Sequence, residues 1–219
     1  MSSDTFSAAA LLARPYWIFD LDGTLTRPVH DFVAIRRQLG VPSDEGILEY
    51  IQAQPAPRRK ALSGALDAIE RDLARRSEAN EGVLALLEVL EQRGVELAIL
   101  TRNRRAAVEI TLHRLGVHHL FAPACILACD DAPPKPDPAG IHRLLAYWQA
   151  PPQQCLIIGD YCFDLEAGVR AGIGTVHFQD DPARHWPELT DLRINHFKEL
   201  TRILRTLEPL PARPRNRVP

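Results

Sequence analysis

The sequence predicts an α/β fold: a parallel sheet flanked by helices, with a small all-helical cap inserted after the first strand. Three observations predict it. Short apolar runs alternate with helical stretches over most of the 219 residues, which is the pattern of a parallel sheet covered on both faces. The first run, YWIF at 16–19, leads straight into DLDGT, with two aspartates two positions apart. About sixty residues then separate Asp22 from the next helix near Glu81, where a strand-to-helix loop usually takes roughly 2–6.

Strands are expected at 16–21, 95–100, 125–129, 155–158 and 174–178. Helices are expected at 81–93, 103–115, 138–149 and 164–171. Asn103 is a good N-cap type for the second of these, and Gly116 stands just past its end. Asp137 is placed to cap the third, with Pro138 at its first position. The long gap has helical signals of its own at 30–40, 45–53 and 58–76. In the last, Leu62, Leu66, Ile69 and Leu73 recur at helical spacing. Residues 28–79 are therefore expected to form the cap, and 14–27 with 80–208 the α/β core. An insertion beside the tip of the first strand is expected to act as a lid. A last helix is expected at 197–207, and PLPARPRNRVP, 209–219, reads as a loose tail.

Composition narrows the function classes. Hydrophobic residues make up 46% and the net charge is -2, so nothing demands nucleic acid or an anionic membrane as a partner. No apolar run is long enough to span a bilayer. AAALL at 8–12 lacks a basic region before it and is followed by Arg14-Pro15, so it does not read as a signal peptide. Cys125, Cys129, Cys155 and Cys162 contain no C-x-x-C pair and read as reduced thiols of a cytoplasmic protein.

The strand ends carry the chemistry. The first delivers Asp20, Asp22, Gly23 and Thr24; the second Thr101, Arg102 and Asn103. Lys135 follows the third, and Asp160 and Asp164 follow the fourth. In an open parallel sheet, ligands bind at the carboxyl ends of the strands, so these residues are expected around one crevice. Asp22-Gly23 alone could be a turn, and Asp160 alone a helix cap. Clustered carboxylates must take up protons or hold a cation. An all-oxygen set suits a hard cation, and Mg²⁺ is the natural choice. A lysine and a helix N-terminus beside it suit an anion, and together this is equipment for a phosphoryl group. Only three of 26 basic residues are lysines, Lys60, Lys135 and Lys198. A lysine between prolines at 134 and 136 therefore suggests that a compact point charge is wanted there.

These four stretches resemble the motifs of the haloacid dehalogenase (HAD) superfamily of phosphohydrolases. DLDGT looks like the first motif, Thr101 the second, Lys135 the third and GDYCFD the fourth, in order from 16 to about 180. The resemblance implies a Rossmann-like core, and the insertion is similar to the helical cap of phosphoglycolate-phosphatase-like members. It implies Asp20 as nucleophile and Asp22 as acid and base. It implies Mg²⁺ held by Asp20, the Asp22 carbonyl and Asp160, with Asp164 in support. Thr101 and Lys135 would bind phosphate oxygens, helped by backbone amides near Gly23 and Arg102. Dehalogenases of the superfamily lack the acid–base aspartate, so Asp22 favours phosphoryl chemistry. The substrate is then a small soluble phosphomonoester.

Two other functions stay open: a phosphomutase acting on a sugar phosphate, and a non-catalytic phosphate-binding or regulatory protein. Arg36, Arg37, Tyr50, Arg58, Arg59 and Lys60 in the cap are candidates for choosing the substrate. His30 and Asp31, just past the first motif, are expected to face solvent, the alternative being that they line the cap entrance.

Overall fold

The structure is a computed structural model. It describes residues 3–179, 181 and 183–210, with side chains from residue 8 onward. Six strands form one sheet: β1 Tyr16–Phe19, β2 Glu96–Leu100, β3 Ile126–Leu127, β4 Cys155–Gly159, β5 Gly174–Phe178 and β6 Leu192–Ile194. Their order is β3-β2-β1-β4-β5-β6, and every neighbouring pair is parallel. β1 thus lies inside the sheet, between β2 and β4, with Phe19 level with Ile99 on one side and Ile158 on the other.

Strand periodicity divides the core into two layers. Trp17, Phe19, Leu97, Ile99, Leu156 and Ile158 point to one face. Ile18, Ala98, Leu100, Cys155 and Ile157 point to the other. Successive side chains of a strand alternate between faces, and with both faces covered every position can be apolar. The first face is covered by α1 Ser3–Leu12, α5 Val83–Gln92, α6 Arg105–Leu115 and α9 Phe197–Leu204. The second is covered by α7 Ala139–Trp148 and α8 Cys162–Ala171.

Three elements differ from expectation. Leu11 and Leu12 of α1 are buried in the first layer, so the core begins before residue 14. β6 has only three residues, LRI, and its arginine hides the apolar run. α6 starts at Arg105 with Arg104 as its N-cap residue, one residue later than the Asn103 cap reading requires. Gly116 ends that helix in the left-handed region at φ 74°, which glycine adopts at no steric cost. Asp137 accepts the backbone N–H of Ala139 at 2.8 Å, but Pro138, not Asp137, is the N-cap residue of α7.

Between β1 and α5 lie α2 Phe32–Leu39, α3 Ile47–Ala53 and α4 Ala56–Arg76. Asp31 caps α2 by accepting the Ala34 N–H at 2.9 Å and is exposed, as expected. Ile35, Leu39, Val41, Ile51 and Leu66 form an apolar cluster shared by the three helices. Residues 211–219 of the expected tail lie outside the described residues, while Leu210 packs against the first core layer. Among the described residues, no helix is long and apolar enough to cross a membrane. The four cysteines are unpaired, and burial pushes the thiols of Cys125, Cys129 and Cys155 up to about 12.

Candidate active site

The site begins where the β1 ladder ends. The Asp20 N–H still donates to the Ile158 carbonyl at 2.9 Å, so its backbone is fixed by the sheet. Beyond it the chain turns at Gly23, with φ 83°. A Cβ on Gly23 would lie 2.6 Å from Asp160 Oδ2, so the bare backbone makes room for that carboxylate. Asn80 ties the turn down from outside, donating to the carbonyls of Gly23 and Thr24 at 3.2 Å each.

β4 supplies Asp160 beyond Gly159, and the first turn of α8 supplies Asp164. Asp164 Oδ2 accepts the Tyr161 N–H at 3.2 Å, bridging the start of the helix. A Cβ on Gly159 would lie 2.2 Å from the Asp164 Cβ. Asp20, Asp160 and Asp164 each offer an oxygen, and these lie within 4.8 Å of one another. Lys135 reaches the same point after β3. Its Nζ donates to Asp20 Oδ1 and to Asp164 Oδ1, each at 2.5 Å, with its side chain 3% exposed.

Electrostatics follows from this crowding. Burial raises the Asp20 carboxyl well above the usual range, Lys135 pulls it down, and Asp164 and Asp160 push it further up. Burial, then Asp164, raises Asp160 to about 7. Burial works against charge on Lys135, yet Asp164 and Asp20 outweigh it and lift the ammonium to about 12. One buried cation thus faces three acids. The residues fit Mg²⁺: the donors are all oxygen, and Asp20, Asp160 and Asp164 each offer one within 4.8 Å of the others.

Asp22 is set apart from this cluster. Its Oδ2 accepts the side-chain amide of Asn103, and its Oδ1 lies 3.7 Å from His30 Nδ1. Burial raises its carboxyl, against the opposing pull of His30 and Lys135. His30 is 8% exposed and stacks on Phe32, so the expectation that it faces solvent fails. The Thr101 hydroxyl accepts the Asn103 N–H at 3.2 Å, which fixes the loop that presents Asn103. Asn103 therefore serves Asp22 and does not cap α6.

These groups line a cavity of about 660 Å³. Core residues such as Asp20, Thr101 and Lys135 form its floor, and Ile35, Glu49 and Leu66 of α2–α4 line it from the other side. Arg102 bridges the two. It donates to the Lys135 carbonyl and to Glu49 Oε1, the latter at 2.7 Å, and lies over the Phe163 ring at 5.0 Å. Burial opposes charge on Glu49, but its hydrogen bond and ion pair with Arg102 hold the carboxyl below its ordinary value. The Arg102 side chain is thus occupied by the Lys135 carbonyl, Glu49 and the Phe163 ring.

Of the proposed substrate-choosing residues, Arg36 lines the cavity and donates to the Glu45 carbonyl at 3.3 Å. Arg37, Tyr50, Arg58, Arg59 and Lys60 stand outside its lining. Arg58 bonds the Tyr50 hydroxyl at 2.8 Å instead. Sequence reasoning missed Glu49 and Glu70. Both belong to helices whose charged residues usually face water, and only packing against the core identifies them.

Comparison with known proteins agrees with the geometry. The family model for haloacid dehalogenase-like hydrolases matches residues 17–172. The chain is 31% identical over 185 residues to a phosphoglycolate phosphatase of Pseudomonas putida, covering 73% of this chain and 67% of that one. It is 26% identical over 216 residues to an N-acetylmuramic acid 6-phosphate phosphatase of Pseudomonas aeruginosa, covering 85% and 93%. The crystal structure of a hydrolase from Pseudomonas syringae shares the fold, with a TM-score of 0.70 at 23% identity over 89% of this chain and all of that one. With the sheet order, the strand-end acids and the buried lysine, the match over most of the chain shows that this protein belongs to the haloacid dehalogenase-like hydrolase family.

Proposed function

We propose that this hydrolase cleaves a small phosphomonoester with Mg²⁺, by way of an aspartyl phosphate on Asp20. One observation carries the reading. Three acids and a lysine converge at one point, while a fourth acid, Asp22, is held apart by Asn103. A nucleophile and a proton donor need that division of labour.

Asp20 attacks phosphorus in line with the leaving oxygen. Its backbone is anchored to β4, so the attacking oxygen does not drift. Asp22 gives its proton to the leaving alkoxide and takes one from the water that later cleaves the acyl phosphate. Its raised proton affinity supports the first of these roles. Lys135 and the Thr101 hydroxyl bind phosphoryl oxygens, with backbone N–H groups near Gly23 and Arg102. Asp20, Asp160 and the Asp22 carbonyl would hold Mg²⁺, with Asp164 in support. When bound, the ion neutralises phosphoryl charge and favours its transfer to a carboxylate.

The helices α2–α4, residues 28–79, act as the cap over this site. Phe32, Ile35 and Leu66 exclude water during transfer. The unpaired cysteines support a reducing, cytoplasmic setting. The named phosphatases among its relatives support a phosphomonoester substrate.

The test is phosphate release from a panel of phosphorylated metabolites with Mg²⁺. Chelation should stop turnover and added Mg²⁺ should restore it. Asp20→Asn should lose turnover by about 10³-fold or more while keeping its circular dichroism spectrum. Activity surviving in that variant would remove Asp20 from the role of nucleophile.

A further inference from the structure

We propose that Glu109, His113 and His118 form a second cation site, at the far end of α6, for a borderline transition ion of the Zn²⁺ class. Each offers one ligand atom, and these lie within 4.8 Å of one another. His118 Nε2 is already 2.7 Å from Glu109 Oε2, and the two imidazoles stack with centroids 4.1 Å apart.

The fold brings these donors together. Glu109 and His113 are four apart on α6, so they share one face. Val108 and Leu112, on the buried side of the helix, fix how that face is turned. Gly116 then reverses the chain in a left-handed turn, and buried Val117 anchors the backbone just beyond it. His118 opens the next short helical turn and comes back over His113. Stacked rings present their nitrogens side by side, so ligation needs one ring to swing, which the exposure of His113 permits. Arg105 lies 3.6 Å from the other Glu109 oxygen. It also pairs with Asp131 at 2.8 Å, and keeps that partner when Glu109 turns to an ion.

Donor chemistry separates this site from the first. Two imidazole nitrogens and one carboxylate oxygen suit Zn²⁺, Ni²⁺ or Cu²⁺, whereas the aspartates at the strand ends suit Mg²⁺. Three protein donors leave a fourth position for water. Glu109 and His113 lie four and eight residues beyond Arg105, the start of α6, so they stand about 6 and 12 Å along the helix from its active-site end. The site needs no part of the phosphatase mechanism.

The test is Co²⁺ titration of chelator-stripped protein in millimolar Mg²⁺, read by visible absorption. One Co²⁺ per chain is expected, displaced by Zn²⁺, with the same bands in Asp20→Asn. His113→Ala and His118→Ala should each weaken binding about tenfold or more, with circular dichroism and Mg²⁺-dependent turnover of an aryl phosphate unchanged. Absence of the bands in the parent protein would overturn the site. So would bands that persist in both histidine variants or vanish in Asp20→Asn. If no phosphatase activity is found but the bands behave as described, the site stands and only the hydrolytic reading fails.

Discussion

Glu70, within α4, accepts the backbone N–H of Arg104 at 3.1 Å. Arg104 is the N-cap residue of α6, and its own side chain makes no capping hydrogen bond. A helix of the insertion therefore satisfies the start of a helix of the core. Glu70 is buried there, so insertion and core are joined by a polar contact that water does not reach.

This contact predicts a pH dependence of stability. Burial lifts the Glu70 carboxyl to about 7, against the opposing pull of Arg104. The folded state then holds a proton that the unfolded chain, with an ordinary value near 4.3, releases. The contribution is complete below the unfolded value and is lost as pH rises through about 7, by about 4 kcal/mol in all. Glu70→Gln keeps an acceptor but cannot ionise. Urea unfolding should show it stabilised relative to the parent at pH 8, with the difference closing near pH 5. Parallel pH profiles for the two proteins would refute this.

Lys135 balances two acids. In Lys135→Ala, Asp20 and Asp164 face each other without the cation that bridged them. Removing one partner from a buried ion pair costs about 3–5 kcal/mol. Thermal unfolding should show that loss, and Mg²⁺ should return part of it by supplying charge to the same oxygens. A melting temperature equal to that of the parent without Mg²⁺ would contradict the arrangement.

Asn103→Ala should leave the fold intact and lower kcat about 10–100-fold, because the Asp22 carboxyl loses its amide donor. KM should change little. The loss should be larger for an alkyl phosphate than for an aryl phosphate with an acidic leaving group, which needs less protonation. Equal losses on both substrates would deny Asn103 a part in proton donation.

Gly23→Ala combines a left-handed φ of 83° with a Cβ 2.6 Å from Asp160 Oδ2. The backbone alone costs about 1–2 kcal/mol. Displacing Asp160 should raise the Mg²⁺ concentration needed for half-maximal activity, and a magnesium titration measures it. An unshifted titration would show that Asp160 is not held by this glycine.

Much of this site is legible in the sequence, because parallel strands deliver their carboxyl ends to one edge and four apolar runs are followed by acids, a threonine or a lysine. What local rules miss are partners distant in the chain. Asn103 has the residue type of a helix cap, but Asp22, 81 residues away, takes its amide. Glu70 sits among leucines at helical spacing and looks solvated until α6 packs over it. His30 carries no local signal of burial. β6 escapes notice because three residues with a central arginine show no period.

Asp20 and Asp160 leave adjacent strands at nearly the same height, with Phe19 level with Ile158. The gap between their backbones is therefore one strand-to-strand spacing, about 4.8 Å, combined with one residue step along the strand, and no side chain sets it. Repacking the interior can soften the protein long before it can pull these two anchor points apart. Such a scaffold can exchange much of its filling while the spacing that a divalent ion meets stays the same.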